Sequence, residues 1–264
     1  MLFRIIFISL ATVCYSFSRI PMVTYIHKFD SNLENVKIFE PYHINKENTP
    51  CILFFTGGSS LVIPEIYNSL FSKIVNNNIA ICTPSFKFRN INNLINHLDN
   101  EYSEVILAGH SSGVSTALTN NNKKINKVIS LDGVDTRLFS LNQNNRFKIK
   151  NINSILFLNA GKSYKFTNDP PGVAFIPFLA LDKNSIDIGS HCKILEVEAK
   201  NYGHCDVLDR SYSNLMHKTR LSVGNSNRTH ENLNNYHTWV GSVLSNFVNR
   251  RYNKIKKLVG KINN

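Results

Sequence analysis

Residues 104–113, with the sequence EVILAGHSSG, constrain the fold of this chain more than any other stretch. The β-formers at 105–107 lead into a Gly-x-Ser-x-Gly turn centred on Ser111, and the helix-compatible segment VSTALTNN follows. A serine that projects from so sharp a strand-to-helix turn is exposed for nucleophilic attack. Gly109 and Gly113 leave the room that such a turn requires on both sides of Ser111. The same pattern also occurs in ordinary Gly/Ser-rich turns, so the rest of the chain must support this interpretation.

Strands and helices alternate along the rest of the sequence. The run CILFF is apolar throughout, which is typical of a parallel strand buried on both faces. We predict strands at 35–39, 51–55, 79–82, 105–107, 127–131, 154–158 and 192–197, and helices at 66–75, 91–98 and 234–252. This order predicts an α/β fold, a mostly parallel central sheet with helices on both faces. Together with the serine turn it indicates the α/β-hydrolase fold.

The first twenty residues carry one early arginine and then an apolar run from Ile5 to about Phe17. That run is too short to span a membrane comfortably and is typical of a signal-peptide core. We expect residues 1–18 to be a signal peptide and residues 19–264 to form a single hydrolase domain with a basic C-terminal tail. The expected location is the secretory pathway, either outside the cell or in an endomembrane or plastid lumen. An uncleaved anchor is the alternative.

The net charge of +12 is high for a chain of 264 residues. Such a charge favours contact with anionic membranes or nucleic acid. The sequence has no nucleic-acid motif with interleaved aromatic residues, so we expect peripheral contact with an anionic membrane and no nucleic-acid partner. The late basic residues are Arg250, Arg251, Lys254, Lys256, Lys257 and Lys261.

A serine hydrolase of this fold supplies its acid and then its histidine after the nucleophile. Asp132 is the best candidate for the acid because it ends the strand predicted at 127–131, and Asp135 and Asp169 are alternatives. His204 is the best candidate for the base because it lies in a Gly-flanked loop after the last predicted strand. The side chain of His110 is expected to point away from Ser111.

Two further regions complete the predicted site. The glycine-rich turn after CILFF allows substrate to approach the backbone, so the amides of Gly58 and Ser112 are expected to bind the oxyanion. The proline-broken segment within 165–191 is interpreted as a lid, or else as a packed surface loop. Its apolar part, 173–181, carries Phe175 and Phe178, which are expected to contact the substrate. This chemistry needs no metal and no organic cofactor.

Four cysteines follow the expected signal peptide, and none forms a CxxC pair. We therefore expect no zinc site. Cys192 and Cys205 flank one predicted strand, and the sequence leaves open whether they form a disulfide.

Several of these segments resemble the chlorophyllase family of α/β-hydrolases, from about Val36 to the last predicted helix. The most specific is YGHCDVLD at 202–209, which is similar to the family's YGHMDMLD. GHSSG is similar to GHSRG, SLDGVD at 130–135 to the strand end IDPVDG, and PCILFFTGG to PVLLFLHGF, with Thr56 in place of the family's histidine. HTWVGSVLSNFV is similar to the closing helix of the family.

This resemblance implies a serine carboxylic-ester hydrolase in which Ser111 is the nucleophile, Asp132 the acid and His204 the base. Its substrate would be a hydrophobic long-chain or isoprenoid ester, such as the phytyl ester of chlorophyll. A lipase, thioesterase or acyltransferase would use the same three residues. A lipid- or tetrapyrrole-binding protein without catalytic activity is the remaining alternative.

Overall fold

The computed structural model describes residues 22–29, 34–58, 62–85, 88, 90–120, 122–135, 146–161, 181–189, 191–218 and 229–263. The expected signal peptide, the alternative acid Asp169 and the substrate-contacting Phe175 and Phe178 lie outside the described residues. No helix within the described ranges is long and apolar enough to cross a membrane.

An eight-stranded sheet forms the centre of the molecule. In spatial order its strands are β1 (Met22–Phe29), β2 (Glu34–Pro41), β4 (Ala80–Pro84), β3 (Cys51–Phe55), β5 (Val105–His110), β6 (Lys127–Leu131), β8 (Ser154–Ala160) and β10 (Lys193–Ala199). Strand β2 runs antiparallel to both of its neighbours, and the six strands from β4 to β10 in that order are parallel. The carboxyl ends of the parallel strands therefore meet at one edge of the sheet.

Helices cover both faces of this sheet, so the predicted α/β-hydrolase architecture is confirmed. Successive side chains of a strand point to opposite faces. In β3, Ile52 and Phe54 join one apolar core, while Cys51, Leu53 and Phe55 join the other. This double burial explains why the segment CILFF is apolar throughout. Helices α1 (Asn68–Val75), α4 (Arg210–Lys218) and α5 (His230–Val248) pack on the first core, and α2 (Ile91–Glu101) and α3 (Gly113–Thr119) pack on the second.

The strands at 51–55 and 127–131 have the bounds that the sequence predicts. The strand predicted at 105–107 extends to His110, because Gly109 pairs with both Phe55 and Ser130 on the neighbouring strands. Three strands were not predicted: β1, and the short β7 (Phe147–Ile149) and β9 (Ile186–Ile188), which pair with each other in a separate sheet. Two of these are only three residues long, too short for a clear alternating pattern.

The prediction of one closing helix at 234–252 is wrong in its end point. The chain leaves α5 through Arg250, whose φ of 56° breaks the helix, and re-enters a helix as α6 (Tyr252–Asn263). The basic tail is thus a helix in its own right. Its buried Ile255 packs into the first core, and its last residue, Asn263, bonds to the backbone of Lys200. Helix α6 therefore lies along β10 at the edge of the sheet.

A disulfide between Cys192 and Cys205 is excluded by their positions. They lie at opposite ends of β10, whose seven residues span about 20 Å at a rise of about 3.3 Å per residue. A disulfide requires Cα atoms less than about 7 Å apart. All four described cysteines are free thiols.

Candidate active site

Ser111 occupies the sharp turn between β5 and α3 with a φ of 56°. This left-handed conformation is strained for a residue other than glycine and persists only where its surroundings hold it. Backbone hydrogen bonds do so: the Ser111 N–H donates to the carbonyl of Leu131 over 3.1 Å, and the Val134 N–H donates to the carbonyl of Ser111 over 3.1 Å. Both bonds come from the β6 side of the sheet, so the two strand ends fix one another.

Close packing explains the glycines on either side of the serine. A Cβ atom on Gly113 would lie 2.2 Å from the carbonyl oxygen of Phe55, at the end of β3. A Cβ atom on Gly109 would lie 2.4 Å from the backbone of Gly113. Neither position can accept a larger residue without moving the backbone.

Asp132 follows β6 and is 1% exposed. Its N–H donates to the carbonyl of Leu158 over 2.8 Å, and its Oδ1 accepts the N–H of Ala160 over 2.9 Å. Its Oδ2 lies 2.6 Å from Nδ1 of His204. Of the three candidate acids, Asp132 is therefore the one that bonds to Nδ1 of the candidate base, while Asp169 lies outside the described residues.

His204 begins a 3₁₀ turn, His204–Val207, shortly after β10. Its Nδ1 donates to Asp132, so in this tautomer Nε2 carries the lone pair that can accept a proton. The structure thus brings together Asp132 and His204, which are distant in sequence, at the edge of the sheet where β5 ends in the Ser111 turn.

Asp206 holds the turn that carries His204, a role that the sequence did not reveal. Its Oδ2 accepts the N–H of Gly203 over 2.8 Å, and its Oδ1 accepts the hydroxyl of Ser213 over 2.9 Å. Its carbonyl accepts Nε2–H of His237 over 2.8 Å. Burial lowers the pKa of His237 to about 4, so this imidazole is neutral at ordinary pH. The only sequence signal for this network is an acidic residue two positions after the candidate base.

His110 uses both of its ring nitrogens within the core. Its Nε2 lies 2.9 Å from the carbonyl oxygen of His204, and its Nδ1 lies 2.8 Å from the hydroxyl of Tyr67. Burial, together with the nearby His204, lowers the pKa of His110 to about 3. Neither nitrogen is left to deprotonate Ser111, although His110 is its neighbour in sequence.

The glycine-rich turn after β3 approaches the serine closely. A Cβ atom on Gly57 would lie 3.4 Å from Cβ of Ser111. The N–H of Gly57 donates to the hydroxyl of Tyr67 over 3.1 Å, so this amide already has a hydrogen-bond partner within the protein. The next residue, Gly58, is exposed and has a φ of 61°. The other predicted oxyanion donor, Ser112, precedes the first turn of α3.

The remaining predicted features fall partly outside the described residues. Of the expected lid at 173–181, only Leu181 is described; it is buried, and its N–H donates to the carbonyl of Gly133, next to Asp132. No group of three His, Cys, Asp or Glu side chains in the described part of the chain is arranged to hold a metal ion.

No protein-family model and no curated protein matches this sequence. Solved structures do match. The Fe-lacking apo form of ESTFA aligns with a TM-score of 0.50 and 11% identity, over 91% of this chain and 89% of that chain. A mutant of the esterase rPPE aligns with a TM-score of 0.49 and 11% identity, over 82% and 86% of the two chains.

A fungal esterase from Rhizomucor miehei aligns with a TM-score of 0.38 and 13% identity, over 47% of this chain and 49% of that chain. This chain thus spans about half the length of that relative. At such low identity the likeness to ESTFA concerns the fold alone. Combined with the parallel sheet and the strained turn at Ser111, it shows that the chain has the α/β-hydrolase fold.

Proposed function

We propose that this protein is a serine carboxylic-ester hydrolase. The observation that carries the proposal is the bond of 2.6 Å between Nδ1 of His204 and the buried carboxylate of Asp132, at the edge of the sheet where Ser111 holds a positive φ. A histidine held by a buried carboxylate beside a serine on a strained turn is the arrangement that acyl transfer requires.

In the proposed mechanism, Nε2 of His204 takes the hydroxyl proton of Ser111 while Oγ attacks the ester carbonyl. The carbonyl oxygen becomes an oxyanion, which the backbone amides of Gly58 and Ser112 stabilise. Asp132 keeps the proton of His204 on Nδ1 and stabilises the imidazolium that forms. The imidazolium then protonates the leaving alcohol. Water, deprotonated by His204, attacks the acyl-enzyme and releases the acid and free Ser111.

We further propose that the alcohol or acyl part of the substrate is a long hydrophobic chain. The support is the resemblance to chlorophyllases and the apolar segment at 173–181, whose Phe175 and Phe178 would contact that chain. Each buried methylene contributes about 0.8 kcal/mol, so a few contacts separate long from short esters by orders of magnitude. Replacing both phenylalanines with serine should lower kcat/KM steeply for long-chain esters and little for an acetate. Equal losses with a lower melting temperature would indicate a structural loop instead.

The exposed lysines of α6 are proposed to contact anionic membranes. Lys254, Lys256, Lys257 and Lys261 are all exposed, on a helix whose Ile255 is buried. Clustered lysines are attracted to phosphatidylserine-rich surfaces, and salt weakens that attraction. The protein should sediment with phosphatidylserine vesicles at low salt, and Lys256→Glu with Lys257→Glu should reduce this. Equal sedimentation with phosphatidylcholine vesicles would contradict the proposal.

Entry into the secretory pathway is proposed on the sequence of residues 1–18. N-terminal sequencing of the protein from its own host should find a start near Phe17 or Arg19. A mature chain that begins at Met1 would contradict cleavage.

A panel of p-nitrophenyl esters with acyl chains of increasing length tests the function itself. The parent protein should hydrolyse members of this panel, and Ser111→Ala should reduce the rate to background. Thioesters and added alcohol acceptors, assayed in parallel, distinguish a thioesterase and an acyltransferase from an esterase. Absence of turnover with every ester, or a Ser111→Ala variant as active as the parent, would overturn the proposal.

A further inference from the structure

A buried chain of hydrogen bonds passes through Tyr67 and His110, and the mechanism above does not use it. Each donor follows from the chemistry of its partner. The carbonyl of His204 can only accept, so Nε2 of His110 donates to it over 2.9 Å. Nδ1 of the neutral ring then accepts, so the hydroxyl of Tyr67 donates to it over 2.8 Å. The oxygen of Tyr67 in turn accepts the N–H of Gly57 over 3.1 Å.

The hydrogen bonds of this chain all point the same way, from Gly57 towards His204, and they are shielded from water. Tyr67 is fully buried and His110 is 3% exposed. Each ring nitrogen of His110 has one protein partner in this chain. Removal of either side chain would leave buried polar groups without a partner, which is destabilising.

The two ends of this hydrogen-bond chain lie on loops that follow two strands not paired with each other. Gly57 follows β3, and His204 follows β10, with β5, β6 and β8 between them in the sheet. Neighbouring strands are about 4.8 Å apart, so the two strand ends are separated by about 19 Å. The loops beyond these two strand ends approach one another, and Tyr67, from the 3₁₀ turn Pro64–Tyr67, and His110, from the end of β5, connect them.

We propose that Tyr67 and His110 are positioning residues that fix the oxyanion loop and the general base relative to one another. This inference rests on the proposed function, because it concerns how that site is held. Gly57 precedes the proposed oxyanion donor Gly58, and the carbonyl at the other end belongs to His204 itself. The ring of His110 also lies against that of His204, with a centroid distance of 4.8 Å.

Loss of this positioning should therefore slow the chemical step and leave substrate binding unchanged. The oxyanion amide and the base act on the same tetrahedral centre, and a misplacement of about 1 Å costs about 100-fold in rate. Substrate affinity depends on other contacts, so KM should change little.

Tyr67→Phe is the first test, because it removes the hydroxyl and keeps the ring that stacks on Phe71. We expect kcat on a short p-nitrophenyl ester to fall about 10- to 100-fold with KM within about twofold of the parent value. Tyr236→Phe is the matched control: Tyr236 is also fully buried, and its hydroxyl has no hydrogen-bond partner among the described residues. That variant should keep the kcat of the parent.

His110 supplies a second pair of variants in case Tyr67→Phe folds poorly. His110→Gln keeps an N–H donor for the carbonyl of His204, whereas His110→Leu keeps none. We expect His110→Gln to retain more of kcat than His110→Leu when both are compared at equal folded fraction by circular dichroism.

The outcomes separate this inference from the proposed function. A parent protein that hydrolyses no ester would overturn the proposed function and this inference with it. If the parent is active, three outcomes would overturn the inference and leave the proposed function standing. Tyr67→Phe could keep the kcat of the parent, Tyr67→Phe could change KM alone, or His110→Leu could retain as much kcat as His110→Gln. A selective loss of kcat in Tyr67→Phe, absent from Tyr236→Phe, would support it.

Discussion

The two halves of the candidate site are held by different kinds of interaction. Ser111 and Asp132 lie at the ends of the adjacent parallel strands β5 and β6, where backbone hydrogen bonds to Leu131, Val134 and Leu158 fix them. His204 lies on a short turn beyond the strand β10, where side chains from distant parts of the chain fix it.

This difference predicts how each half responds to mutation. Where backbone bonds and tight packing set the geometry, side-chain deletions nearby should affect stability and leave the rate per folded molecule unchanged. Where side chains set the geometry, the same deletions should lower the rate as well. The bond between Asp132 and His204 is the point at which the two halves meet.

Removing the negative charge of Asp132 should have the largest effect on activity. Asp132→Asn keeps the size of the side chain but stabilises the wrong tautomer of His204, so kcat should fall by about 10⁴-fold. Steady-state kinetics on a short ester measures this, with folding checked by circular dichroism.

Asp135→Asn is the matched control, three residues along the same loop. It should lose far less activity. If Asp135→Asn lost more than Asp132→Asn, the acid would have to be reassigned to Asp135.

The next largest effect should come from the packing of the backbone-fixed half. Gly113→Ala places a methyl group 2.2 Å from the carbonyl of Phe55, so we expect a loss of about 3 kcal/mol in the free energy of unfolding. Gly260→Ala provides the contrast, because nothing lies within 4 Å of the added methyl group on α6. That variant should gain about 0.5 to 1 kcal/mol.

Urea denaturation of the two variants measures both values. A Gly113→Ala variant as stable as the parent would show that the turn can shift, contrary to the tight packing described above.

The same contrast explains what the sequence could reveal. The residue pattern around Ser111 follows from local backbone geometry, and the strand at 127–131 delivers Asp132 to the adjacent position. Local patterns therefore predicted the fold and these two positions. The residues that hold the base in place through other groups, such as Tyr67 and Asp206, make contacts with residues far apart in sequence. No periodicity or spacing marks such contacts.

The end of the closing helix was predicted wrongly for a related physical reason. The break between α5 and α6 depends on a positive φ at Arg250, a residue type that does not favour that conformation. The apolar pattern of the two helices gave no sign of it.

A pair of serine-to-alanine substitutions compares the two halves of the candidate site directly. Ser213→Ala removes the hydroxyl that donates to Asp206 under the base turn, and Ser115→Ala removes one that donates to the carbonyl of Val134 near Ser111. Each should lower the free energy of unfolding by about 1 kcal/mol. Only Ser213→Ala should also lower kcat, by several-fold.

Denaturation curves and steady-state kinetics on both variants measure these values. Equal changes of kcat in the two variants would contradict the distinction between backbone-fixed and side-chain-fixed geometry.

The stability of the protein should also depend on pH. The pKa values of His110 and His237 are lowered by burial from 6.5 to about 3 and about 4. Below about pH 6.5 the unfolded chain binds protons at these positions and the folded chain does not. The free energy of unfolding should therefore fall as pH falls, by at most about 1.4 kcal/mol per pH unit for each histidine.

Asp209 acts in the opposite sense, because burial raises its pKa from 3.8 to about 6. Between these values the folded chain binds the proton more tightly, so this carboxyl offsets part of the acid-induced loss. Denaturation curves between pH 7 and pH 5 measure the net slope, and His237→Gln should reduce it. An unchanged slope in that variant would contradict the buried, neutral state of His237.

The central claim is that Ser111 is the nucleophile served by His204 and Asp132. The most direct test is to react the protein with a fluorophosphonate and locate the adduct by mass spectrometry of its peptides. The account predicts a single adduct on Ser111, formed at a rate that falls sharply in His204→Ala and Asp132→Asn. An unmodified Ser111 in folded protein, or an adduct on another residue, would contradict it.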